Sequence, residues 1–202
     1  MDTKYLLTGV AAAAALLLGA CGTTTAATSS DGSQGMGAMT SMVSAADPVL
    51  PSISSEYNDA DIVFATDMIP HHIQAVEMAE MVPGSGASPE VAALAAQIQS
   101  AQQPEVDLML GFLDTWGQKP PGHEMGHDMG MMSEADMTTL MGTSGGEFDK
   151  MWLTMMTAHH DGAILMAKAE LAAGSNPQAK DLATNIITAQ QIEIDAMAAL
   201  LK

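Results

Sequence analysis

The amino-acid sequence predicts an all-α fold: a four-helix bundle made of two duplicated helical hairpins joined by a Met- and Gly-rich crossover loop. Two observations carry this. Slid against itself by 88 residues, the chain places FATDMIPHHIQAVEMA (Phe64 to Ala79) over WLTMMTAHHDGAILMA (Trp152 to Ala167) without a gap. At the same offset Gly86 and Pro89 fall on Gly174 and Pro177, Leu94, Ala95 and Ile98 on Leu182, Ala183 and Ile186, and Ala101-Gln102-Gln103 on Ala189-Gln190-Gln191. Glu105, Asp107, Met109 and Leu113 then fall on Glu193, Asp195, Met197 and Leu201. A gap-free match of this length is an internal duplication, and the repeated unit sets the architecture. The second observation is periodicity: apolar residues recur at helical spacing, and no run alternates as a half-buried strand would.

In the first helix Ile62, Ala65, Ile69, Ile73, Val76 and Met81 keep the three-to-four-residue spacing of an amphipathic helix. Pro83-Gly84-Ser85-Gly86 ends it. Pro89 opens the next, at a first turn where a missing N–H costs nothing. That second helix runs to Trp116, with Leu94, Ile98, Ala101, Val106 and Met109 on its apolar side. Pro70 and Pro104 lie inside these helices, where proline costs about 3 kcal/mol or bends the rod, so kinks are expected at both. Residues 117–146, rich in Gly, Pro and Met, read as the crossover loop. The second hairpin occupies 147–202, with Gly174-Ser175-Asn176 as its breaker and Pro177 opening a helix to Leu201.

Ahead of this domain, residues 1–20 read as a secretory signal: Lys4, an apolar stretch from Tyr5 to Leu18, and a small-residue exit. The apolar run is shorter than the roughly 20 residues that span a bilayer. Leu18-Gly19-Ala20-Cys21 resembles a bacterial lipobox, which makes Cys21, the sole cysteine, the expected lipid attachment point. The expected location is therefore the extracytoplasmic face of the cell membrane, held by the lipid anchor. Residues 21–56, mostly Thr, Ser, Ala and Gly, read as a flexible tether, and its Met36, Met39 and Met42 as incidental to a low-complexity segment. The folded domain is expected over 57–202, with hairpins at 57–116 and 147–202.

Net charge is −18 and arginine is absent, so nucleic acid is excluded as a partner; phosphate binding needs a clustered basic surface. An acidic body attracts cations, though weakly and with salt screening. Outside the cytoplasm thiols tend to oxidise, so a soft-metal site there gains from ligands other than cysteine.

Four of the six histidines form the pairs His71-His72 and His159-His160, at equivalent register in the two copies. Adjacent helical residues point about 100° apart, so each pair can aim one imidazole inward and the other at a neighbouring helix or solvent. Met68 precedes His72 by four residues and Met156 precedes His160 by four, which stacks thioether and imidazole on one face. A lone histidine near methionines is usually core or surface filling; the same arrangement in two diverged copies points to a ligand set. Imidazole with thioether suits Cu(I), favoured here, or another soft metal ion, whereas Mg and Ca prefer oxygen. The loop carries a second constellation, GHEMGHDMGMM, with His123, Met125, His127 and Met129 in near alternation; its competing reading is a plain linker. Glu105 and Glu193 on the partner helices are placed to orient the imidazoles, a role metal-bound histidines commonly require; their competing reading is a solvated helix face.

Met68-Ile69-Pro70-His71-His72, then Ala75 and Met78-Ala79, followed by Gln102, Glu105 and Met109, closely resembles the DUF305 family, and the second copy repeats the pattern with Met156, His159, His160, Ala163, Met166, Ala167, Gln190, Glu193 and Met197. The resemblance runs from about Asp59 to the C-terminus. It implies a ferritin-like four-helix bundle and, as in some exported members, copper binding linked to copper resistance. The second copy departs from it, with Thr157-Ala158 where the first has Ile69-Pro70.

The expected function is therefore metal binding, copper buffering or handover to an unidentified copper-handling partner, and not catalysis. Two other classes compete. One is a helical scaffold whose histidines only pack. The other is a ferritin-like di-metal oxidase, which calls for Glu-x-x-His on two helices; here that spacing occurs only at Glu124 to His127, in the loop. No Ser-His-Asp arrangement, phosphate loop or cysteine nucleophile is visible.

Overall fold

Three of the four long helices start at a residue whose side chain caps them. A computed structural model describes residues 52–121 and 129–202; Cys21, the Met36–Met42 run, His123, Met125 and His127 lie outside the described residues. Helix α1 (Asp59–Glu80) begins at Asn58, whose side chain accepts from the Ala60 and Asp61 amides while Asp61 reaches back to the Asn58 N–H, a reciprocal capping box. Helix α2 (Pro89–Thr115) starts behind Ser88, and α5 (Pro177–Leu200) behind Asn176; both have proline in the first turn. Helix α4 spans Gly145–Ala173. Both α1 and α2 continue unbroken through Pro70 and Pro104.

The crossover is not all loop. A short helix, α3 (Glu134–Met141), forms within it behind a Ser133/Asp136 capping box, a Ser-x-x-Asp signal that the Gly- and Met-rich composition obscured. Residues 52–56, expected to end the tether, lie against the bundle instead. The Ser54 carbonyl accepts from Trp116 Nε1 and Asn176 Nδ2 (3.1 Å each), Glu56 O accepts from Asn176 Nδ2 (2.8 Å), and Ile53 packs on the core. The described residues are all helix, turn or coil, and none of their helices is long and apolar enough to cross a membrane.

Two hydrogen-bonded ties set the topology. The Gly145 N–H at the start of α4 donates to Ser85 O in the α1–α2 turn (2.8 Å). At the other end Asp61, in the first turn of α1, accepts from Ser175 N, Ser175 Oγ and Asn176 N in the α4–α5 turn (2.9–3.1 Å). Helices α1 and α4 therefore run antiparallel, α2 and α5 flank them, and the crossover travels the length of the bundle. This is the single-crossover form of the four-helix bundle.

The core falls into two clusters related by the repeat. Phe64, Met68, Met109, Phe112 and Ile186 lie in one; Trp152, Met156, Met197, Leu140 and Ile98 lie in the other. Burying each such side chain contributes about 1.5–3 kcal/mol. Trp152, fully buried, satisfies its indole N–H on Met78 O (2.9 Å). Along α1 and α4 the four paired histidines fall between the clusters.

A buried acid pair closes the Asp61 end. Burial alone would raise the Asp61 pKa, but donors from Asn176, Asn58, Glu170 and Ser175 outweigh it and hold the group below the ordinary carboxylate value. Glu170, 1 % exposed, sits beside it under Gly174. As a carboxylate, neither Glu170 oxygen has a donor. Burial first, and then Asp61, push its pKa up to about 8, so at neutral pH it is a neutral acid donating to Asp61.

Candidate metal centre

His71 and His72 point in different directions because they are neighbours on a helix, yet both are buried, and so are His159 and His160. The solvent-facing alternative open to one member of each pair is therefore not taken. His72 Nε2 donates to Glu105 Oε2 at 2.7 Å, and His160 Nε2 donates to Glu193 Oε2 at 2.6 Å. Both contacts span 33 residues, so the duplication reproduces them. His71 and His159 turn the other way and meet between α1 and α4, with ring centroids 3.7 Å apart and planes tilted by 40°.

The partners dictate the tautomers. A carboxylate or a carbonyl only accepts, so the bonded nitrogen carries the proton and the other nitrogen of the neutral ring keeps its lone pair. His71 Nε2 donates to Met129 O (2.9 Å), which leaves Nδ1 as its lone-pair donor. Nδ1 of all four histidines and Nε2 of His159 are buried without a hydrogen-bond partner. Both amide atoms of Gln102, three residues before Glu105, and Oε1 of Gln190, three before Glu193, are likewise unpartnered. Each orphaned polar atom costs about 1–3 kcal/mol, and such a concentration is characteristic of a site made to hold something. Burial, then the neighbouring His72, lower the His71 pKa to about 3 despite the hydrogen bond to Met129. Burial, then His71, lower that of His159 well below the ordinary value. Both rings therefore stay neutral, with their lone pairs free of protons.

Met68 and Met156 are fully buried in the same stretches of α1 and α4, one turn before His72 and His160. Among the described residues no three His, Cys, Asp or Glu side chains converge as a ready-made metal cluster. The donor set is imidazole and thioether, which a soft ion accepts and a hard one does not. Of the loop residues, Met129 is described and reaches the centre through its carbonyl.

Sequence reasoning missed how the crossover is fastened there. Gln74 exchanges two hydrogen bonds with Met132, donating to its carbonyl (2.8 Å) and accepting from its amide (2.7 Å). On the opposite helix the loop backbone at Met129 and Gly130 packs so closely on Gly162 that a β-carbon there would collide with the Met129 carbonyl. Gly130 itself has φ +83° and faces Ala158 O, where a side chain has no room. A signal existed: at the 88-residue offset Gln74 falls on Gly162, a mismatch inside the best-matched stretch. One copy supplies the clamp and the other the clearance.

Comparison with known proteins places this architecture. The family model described as "Domain of unknown function (DUF305)" matches residues 61–201. A DUF305 protein from Streptomyces coelicolor, described as secreted, is 36% identical with a TM-score of 0.66, over 70% of this chain and 91% of its own. A DUF305 fragment from Deinococcus radiodurans is 31% identical with a TM-score of 0.65, over 71% and 96%. CopM in its Cu(II)-bound form is 29% identical with a TM-score of 0.61, over 70% and 95%. No curated protein matches the chain. The family model covers more than half of the chain, and the fold agrees with the solved DUF305 structures: this protein belongs to the DUF305 family.

Proposed function

We propose that this protein is an extracytoplasmic, lipid-anchored copper-binding protein that buffers Cu(I) or hands it on through Met and His ligands. The observation that carries the reading is the layer of four buried imidazoles, with Nδ1 of each unpartnered and His71 in tilted ring contact with His159. In each hairpin a carboxylate holds Nε2 and presents Nδ1, the carboxylate–imidazole arrangement by which proteins orient metal-bound histidines. Met68, Met156 and the loop residues His123, Met125, His127 and Met129 supply further soft donors. CopM has been solved in Cu(II)-, Cu(I)- and silver-bound forms, which supports a soft ion as the ligand. The description of the Streptomyces relative as secreted supports an extracytoplasmic location. The signal and Cys21 motif add the anchor.

Anaerobic Cu(I) competition titration against a chromogenic chelator tests the reading. His71→Ala/His159→Ala is expected to weaken binding at least about tenfold, with circular dichroism showing that the helices persist. Unchanged affinity and stoichiometry would remove the helical site and leave only the loop. For the anchor, Cys21→Ser is expected to shift the protein from the membrane fraction to the soluble fraction; an unchanged distribution would exclude lipid attachment at that residue.

A further inference from the structure

The histidine layer is sealed, with His71, His72, His159 and His160 each no more than 1 % exposed, so an ion needs a route to it. Between α1 and α4, on the Asp61 side of the layer, lies a cavity of about 160 Å³. Its walls carry two thioethers, Met129 and Met166, and two carboxyl side chains, Asp67 and Glu170; the small residues Ala60 and Ala169 leave it room. Met129 is 37% exposed at this cavity, while its own carbonyl accepts the His71 Nε2 proton. A single residue thus lines the cavity and touches the centre.

We infer that this cavity is the port through which a soft monovalent cation reaches the histidine layer, with Met129 and Met166 as its first ligands. The inference rests on the metal-binding reading above and adds a path to it. The Asp67 carboxyl group and the acidic body draw a cation towards the opening. Thioethers carry no proton and take a soft ion without competition from pH, so they select Cu(I) or Ag(I) over harder ions. From Met129 the next nitrogen donor along the loop contact is His71. Two other openings among the described residues lack this combination. The cavity under the α1–α2 turn, lined by Val82, Ala87, Ala96 and Gln99, has neither thioether nor carboxylate. The groove between α3 and α4 has Met151 and Met155, but none of its lining residues bonds to a histidine of the layer.

Obstructing a route slows loading and unloading together and leaves the equilibrium where it was, which separates a port from a final site. The experiment is anaerobic stopped-flow transfer of Cu(I) from a chromogenic chelator to the full chain. Ala169→Trp, at an exposed helical position on the cavity wall, and Met129→Leu/Met166→Leu are each expected to slow loading about tenfold or more. The equilibrium Kd of Ala169→Trp should stay within about threefold of the wild type. Ala96→Trp, which fills the cavity under the α1–α2 turn, should load at the wild-type rate. An unchanged loading rate in Ala169→Trp, or equal slowing in Ala96→Trp, overturns the port; so does a weaker Kd at an unchanged loading rate. A wild-type protein that takes up no Cu(I) is a different failure, because it removes the metal-binding reading itself.

Discussion

Replacing Gly162 with alanine is expected to detach the crossover from the bundle and to lower stability by about 2–3 kcal/mol. The added β-carbon collides with the Met129 carbonyl, which is backbone and cannot swing aside as a side chain would. When the loop moves, His71 Nε2 loses its acceptor and Gln74 loses both partners at Met132, so buried polar groups are stranded on α1. Hydrogen exchange reads this directly. The Met132 amide, held by Gln74 at 2.7 Å, should exchange much faster in Gly162→Ala, and chemical denaturation should show the loss of stability. Protection and midpoint equal to the wild type would mean that the loop contact is not needed to hold the centre closed.

The second large effect concerns pH. Glu170 has a folded pKa of about 8 against an ordinary 4.5, caused by burial and then by Asp61, with Lys180 pulling weakly the other way. A raised folded pKa means that the folded state keeps a proton which the unfolded state has lost. Its stabilisation is complete below 4.5 and is lost as pH rises through about 8. His71 acts oppositely: with its pKa lowered from 6.5 to about 3, its contribution is present above 6.5 and lost as pH falls towards 3. His159 shares that sign, and so does Asp61 in the acid range. Above pH 6.5 the His71 contribution is complete, and between pH 6.5 and 8 the Glu170 proton should cost the metal-free protein about 2 kcal/mol of stability. Glu170→Gln keeps the shape, removes the ionisation, and should flatten that slope. Thermal unfolding across this range decides it; a variant as pH-sensitive as the wild type would place the titration elsewhere.

Much of the architecture was legible because it is written locally. Helical periodicity, Pro89 and Pro177 at first turns, and the breakers before them place the long helices. The Ser133/Asp136 box was equally local, but it lay in a stretch whose composition argued for loop. The reading of 52–56 as tether failed for a different reason. One hydrophobic residue, Ile53, among serines and a glutamate does not announce packing; the core it meets, and the Trp116 and Asn176 that hold its neighbours, lie far away in the chain.

By itself the sequence determined the duplicated helical hairpins, the matched histidine pairs and the glutamates 33 residues beyond them, since repeated spacing survives translation into structure unchanged. Only the tertiary structure decided which imidazole of each pair meets its glutamate and which crosses to the other hairpin, because that depends on how α1 and α4 approach one another. It also decided that Gln74 and Gly162, equivalent by descent, do unlike jobs. A single crossover can lie on only one face of a twofold bundle, and the copy beneath it must give way where the other holds on.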